Sequence, residues 1–107
     1  SEALLIANRN LSPRKRAILE ELLFRIEAVT AAENKKYVLM NVPTDKVSDV
    51  VAVLPGAKSP TIMPLATEGW SSIHTVVDEK SFWEIISRLK ELGAQGILVM
   101  PIEKMIL

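Results

Sequence analysis

Between residues 37 and 100 the apolar pattern of this 107-residue chain alternates between the strand period and the helix period, in the order strand, helix, strand, strand, helix, strand. Few folds accommodate that order. Tyr37 to Val42 reads as a strand stopped by Pro43. Thr44 and Asp45 open a helix whose apolar side is Val47, Val50, Val51 and Leu54, and Pro55 with Gly56 closes it. Thr61 to Leu65 is a second strand, Ala66 to Gly69 a turn, and Trp70 to Val77 a third strand, so these two strands should form an antiparallel hairpin. Asp78 caps a second helix with Phe82, Ile85, Ile86, Leu89 and Leu92 as its buried stripe, and Gly93 stands where a left-handed residue ends a helix. Ile97 to Met100 is the last strand, ended by Pro101.

Two βαβ halves of nearly equal length predict an α+β domain of the ferredoxin-like βαββαβ kind, one antiparallel sheet with both helices on a single face. Strand alternation then sorts the third strand. Ser71, Ile73, Thr75 and Val77 turn toward the helices, while Trp70, Ser72, His74 and Val76 share the opposite face. A sheet face left without helices and carrying Trp70, His74 and Val76 is expected to meet a second subunit.

Residues 1–34 read differently. Ala3 to Asn8 is a short apolar strand of the kind found inside sheets. Ser12 followed by Pro13 starts a helix that fades near Asn34, with Ile18, Leu19, Leu22, Leu23, Ile26 and Val29 on one side. The chain therefore divides into a strand-helix segment, 1–34, and a domain, 35–107. Charge divides at nearly the same place. Residues 1–36 carry seven basic and five acidic side chains, net +2, and residues 37–107 carry six and eight, net -2.

With a total charge of zero and a pI near 6.6, no nucleic-acid partner is expected. The longest stretch without Asp, Glu, Lys or Arg, Leu92 to Ile102, is too short to cross a bilayer, which takes about 20 residues, and Ala3 to Ala7 is too brief for a signal peptide. The chain has no cysteine, so thiolate metal sites and disulfides are absent and a reducing, cytoplasmic setting is expected.

Catalytic chemistry is poorly represented. His74 is the single histidine and has no carboxylate at metal-ligand spacing, so neither a metal site nor a general base is expected from it. Ser59, Ser71, Ser72 and Ser81 lie outside any G-x-S-x-G context. The "GAQG" segment, Gly93 to Gly96, follows a helix instead of opening one and cannot hold a phosphate on a helix N-terminus. Gly96, at the start of a strand, either is structural or admits the close approach of a ligand. The turn "PGAKSPT", Pro55 to Thr61, either is a plain connector or offers backbone amides and the Thr61 hydroxyl to a ligand. Arg14, Lys15 and Arg16 read as a solvated helix start, and Trp83 as core-edge packing.

Taken together, "NKKYVLMNVPTDKV" (Asn34 to Val47), "GAKSPTIMPLA" (Gly56 to Ala66) and "FWEIISRLKELGAQGILVMPIEKMI" (Phe82 to Ile106) resemble the C-terminal part of the long-form ATP phosphoribosyltransferase family. These enzymes condense ATP with phosphoribosyl pyrophosphate at the entry to histidine biosynthesis, with magnesium. The resemblance implies a ferredoxin-like regulatory domain that binds L-histidine for feedback inhibition and supports a homo-oligomer, from dimer to hexamer. It implies that residues 1–34 belong to a catalytic lobe otherwise missing from this sequence, that the fragment holds no cofactor of its own, and that it is inactive as a transferase. It places histidine near Asn41, Ala57, Thr61, Val76 and Gly96, with Trp70 and His74 at or near the seam between subunits. Where some members carry an acidic residue, this chain has Asn41, which accepts a hydrogen bond from the ligand ammonium without supplying charge. Two other readings compete. One is an oligomerisation module without a ligand. The other is a hydrolase of the acylphosphatase kind, disfavoured because the loop after the first strand offers Pro43, Thr44 and Asp45 where an anion-holding Arg is needed.

Overall fold

The computed structural model describes residues 11–55 and 59–107. Strands β1 (Lys35–Pro43), β2 (Thr61–Pro64), β3 (Trp70–Asp78) and β4 (Gln95–Pro101) form one sheet in the order β2-β3-β1-β4, and each neighbouring pair is antiparallel. Helix α1 (Pro13–Ala32) precedes the sheet, α2 (Val47–Val53) joins β1 to β2, and α3 (Glu79–Glu91) joins β3 to β4. This is the ferredoxin-like sandwich that the alternation of periods predicts. The strand proposed at Ala3 to Asn8 lies outside the described residues.

The core forms where alternate strand residues meet the two helices. Val38, Met40 and Val42 from β1 and Ile73 and Val77 from β3 are buried against Val50 of α2 and Phe82 and Leu89 of α3. Each strand thus presents its even or odd set to one apolar layer. Ser71 and Thr75 share this face. Ser71 spends its hydroxyl on Thr44 (Oγ–Oγ1 2.9 Å), and the Thr44 amide donates to the Gly69 carbonyl at 2.8 Å. The end of β1 is thereby tied to the β2–β3 turn, which Gly69 closes at φ +83°. The helix expected from Thr44 begins as a 3-10 turn, Thr44–Lys46, before α2 proper.

The end of α3 follows the sequence closely. Leu92 is the C-cap, the Gly93 amide donates to the Lys90 carbonyl (3.0 Å) and the Ala94 amide to the Leu89 carbonyl (3.0 Å), which is a Schellman closure with Gly93 at φ +94°. A Cβ on Gly93 would lie 3.2 Å from both Cδ and Cγ of Pro43. Gly93→Ala is therefore expected to cost about 1–2 kcal/mol, from left-handed strain plus pressure on Pro43, read as a lowered urea midpoint with an unchanged slope. Asp78 occupies the N-cap position of α3 without a capping side-chain bond, and its carboxylate lies 3.9 Å from Lys35 Nζ instead.

Helix α1 departs from expectation in its packing. Ser12 caps it as read, accepting from the Lys15 amide at 3.3 Å. Its apolar side chains, however, do not make one buried stripe. Ile18 (61% exposed), Leu22, Phe24, Ile26 and Val29 all face solvent, and the buried residues are Ala28 and Ala32. The helix extends away from the sandwich, giving the molecule a long dimension of 61 Å.

Candidate functional site

The sheet face opposite α2 and α3 carries the residues that sequence reasoning singled out. Tyr37, Leu39 and Asn41 of β1 alternate with the buried set, as do Trp70, Ser72, His74 and Val76 of β3. Leu98 and Met100 of β4 and Met63 of β2 are exposed. The only charges on the central strands of this face are Lys35 and Asp78, paired at one end.

His74 lies at the middle of the face with both ring nitrogens engaged. Tyr37 Oη is 3.1 Å from Nδ1 and Ser72 Oγ is 2.8 Å from Nε2, so in either neutral tautomer one nitrogen donates and the other accepts. The Tyr37 and His74 rings meet edge to face, with centroids 6.0 Å apart. A histidine held on both sides and with no carboxylate partner is a structural polar bridge on this face. Neither Tyr37 nor Ser72 was among the residues picked from the sequence. Ser72 was legible as an i+2 neighbour on one strand face, but Tyr37 meets His74 only because β1 and β3 pair in a register that no local pattern encodes.

Asn41, at the far end of β1, lies with Trp70, Leu65, Thr67 and Gln95 around a cavity of about 200 Å³. The register of β1 against β4 slips between Leu39 and Asn41, with Gly96 in the left-handed region at φ +56° beside the slip. A Cβ on Gly96 would lie 3.5 Å from Asn41 Nδ2. Asn41 and Gly96 are thus neighbours. Thr61 and Val76 are brought together elsewhere. They line a cavity of about 680 Å³ with Tyr37 and His74, at the end of the face where β3 runs on past β2. Ala57 lies outside the described residues.

The two pairs do not meet. Strand rise and spacing put Asn41 about 14 Å from Val76 and about 12 Å from Thr61, since Asn41 pairs with Ser72 and Thr61 with His74. Among the described residues no group of three or more His, Asp or Glu side chains converges on a point that could hold a metal ion. No described helix is long and apolar enough to cross a membrane.

The amino-acid sequence matches the family described as "HisG, C-terminal domain" over residues 32–104. The chain belongs to that family. Over all 107 residues it is 72% identical to the ATP phosphoribosyltransferase of Phocaeicola vulgatus and 69% identical to that of Bacteroides fragilis. Over 106 residues it is 60% identical to that of Cytophaga hutchinsonii. It spans only 38% of the first two proteins and 37% of the third. Within the HisG C-terminal domain family match, β1 to β4 are all included, whereas most of α1 precedes it.

Proposed function

We propose that this chain is the regulatory part of an ATP phosphoribosyltransferase and binds L-histidine at the seam between two copies. The separation of Asn41 and Gly96 from Thr61 and Val76 carries this reading. Each chain offers two separate clusters on one sheet face, and setting each against the complementary cluster of a neighbouring chain would gather all four residues closely around one ligand. Binding at such a seam favours one docking of the subunits over another, which is the condition for feedback inhibition; equal affinity for both arrangements would shift nothing.

The exposed Leu98, Met100 and Met63 on the same face support assembly as a homo-oligomer, up to the hexamer that the family resemblance implies. The apolar sides of α1 support its assignment, with residues 1–34, to a catalytic lobe that supplies the transferase chemistry. The absence of cysteine suits a cytoplasmic enzyme. By itself the 107-residue chain is expected to form no phosphoribosyl-ATP.

Those exposed side chains equally favour a second reading, an oligomerisation module with no ligand. Titration of the chain with L-histidine in a calorimeter, paired with sedimentation analysis, separates the two. The regulatory reading expects saturable heat and a ligand-dependent change in assembly. Assembly that proceeds with no heat and no response to histidine would establish the second reading.

A further inference from the structure

Residues 102–107, which follow β4, touch two parts of the molecule at once. The Met105 amide donates to the Ala28 carbonyl at 2.8 Å. Among the backbone hydrogen bonds of the described residues outside regular elements, it is the one that ties α1 to a distant part of the chain. Met105 and Leu107 close a cavity of about 200 Å³ with Phe24, Ala28 and Ala31 of α1. The same two residues wall the cavity of about 680 Å³ that holds Thr61, Val76 and Tyr37. That cavity opens where β3 outruns β2: Thr61 pairs with His74, and among the described residues β1 is the one strand neighbour of residues 75–78. Ala28 and Ala32, one helical turn apart, are the buried residues of α1 and present a flat surface against which a chain can lie.

We propose that residues 102–107 form a strap that anchors α1 and carries the occupancy of the sheet-edge cavity to it. Transmission requires a seated and an unseated position of the strap, and the Met105–Ala28 bond is the seated one. A ligand entering beside Val76 and Tyr37 meets Met105, and through it the last turns of α1. Without the strap, α1 hangs on the domain by its covalent connection at Glu33 and Asn34. The anchoring stands on the contacts alone; the transmission rests on the reading of the histidine site above.

Amide exchange and chemical shifts of the full 107-residue chain test both parts. Without ligand, the Met105 amide is protected, and Met105→Pro, which deletes that donor, speeds exchange in residues 28–32 roughly five- to tenfold while sheet amides are unchanged. Ala28→Gln, which displaces the strap from the helix side and keeps a good helix former, gives the same result, and Met105→Leu leaves exchange as in the parent chain. With saturating L-histidine, the parent chain and Met105→Leu shift amides at Tyr37 and Val76 and also at residues 28–32. Met105→Pro and Ala28→Gln shift only the cavity amides. A freely exchanging Met105 amide overturns the anchor. Histidine-dependent shifts at residues 28–32 that survive in both variants overturn the transmission. A cavity that does not respond to histidine overturns the site reading and the transmission with it, leaving the anchor to be decided by the ligand-free exchange.

Discussion

If the proposed seam site is formed, mixing two variants that cannot bind histidine is expected to restore binding. Val76→Arg fills the half-site at the Thr61 end of the sheet face, and Gly96→Val forces a β-branched residue into the left-handed backbone beside Asn41. Each variant alone is expected to give no heat with L-histidine, because every seam then contains one damaged half. In an equal mixture, re-equilibrated so that subunits exchange, about a quarter of the seams draw both halves from undamaged surfaces and bind with the affinity of the parent chain. Calorimetric stoichiometry reads that fraction directly. Asn41→Leu serves in place of Gly96→Val should the glycine variant prove unstable in urea. Recovery of no sites in the mixture would mean that the pocket lies within one chain or that these residues do not form it. Few substitutions elsewhere have an effect as large, since this one changes the signal from nothing to a counted fraction.

Phe82→Ala is expected to remove about 3–5 kcal/mol of stability. Phe82 is 1% exposed and belongs to the cluster that joins α3 to Val38, Ile73 and Val77. The helix layer over this sheet is only two helices wide, so little is available to collapse into the space a phenyl ring leaves. The loss is a large share of the 5–15 kcal/mol typical of a domain, and the melting temperature should fall by roughly 15–25 °C. Trp83, next in sequence and 62% exposed, is the control. Its ring lies edge to face with Phe82 at 5.6 Å, so Trp83→Ala should cost about 1 kcal/mol, the worth of such a pair with little buried area. Equal losses in chemical denaturation for the two variants would show that Phe82 does not hold α3 to the sheet. The consequence reaches the candidate site, because β3 carries Ile73 and Val77 on the Phe82 side and His74 and Val76 on the other.

Much of the domain was legible along the chain because its signals are local. Gly93 was readable as a left-handed closure of α3, and the structure gives it φ +94° with both Schellman bonds. The alternation of β3 sorted Ile73 and Val77 from His74 and Val76 without any knowledge of neighbours. The large apolar residues of α1 were misleading for the same local reason. Their spacing permits a buried stripe, but burial needs a partner surface, and among the described residues Ala28 and Ala32 are the α1 residues that find one. For the candidate site, the individual residues were nameable but their grouping was not. Asn41 and Gly96 are 55 positions apart and adjacent, whereas Thr61 lies between them in sequence and apart from both in space.

By itself, then, the sequence determined the order and type of the elements, the helix ends at Ser12 and Gly93, and which side of each central strand turns to the helices. Those properties follow from residue period, capping chemistry and backbone freedom, each of which acts within a few positions. The tertiary structure alone decided the register that sets Tyr37 on His74, the division of the four histidine-site candidates into two distant pairs, and the return of Met105 to Ala28. Each of these depends on which strands pair and on how far one strand outruns its neighbour, and sheet closure settles both only after distant segments have come together.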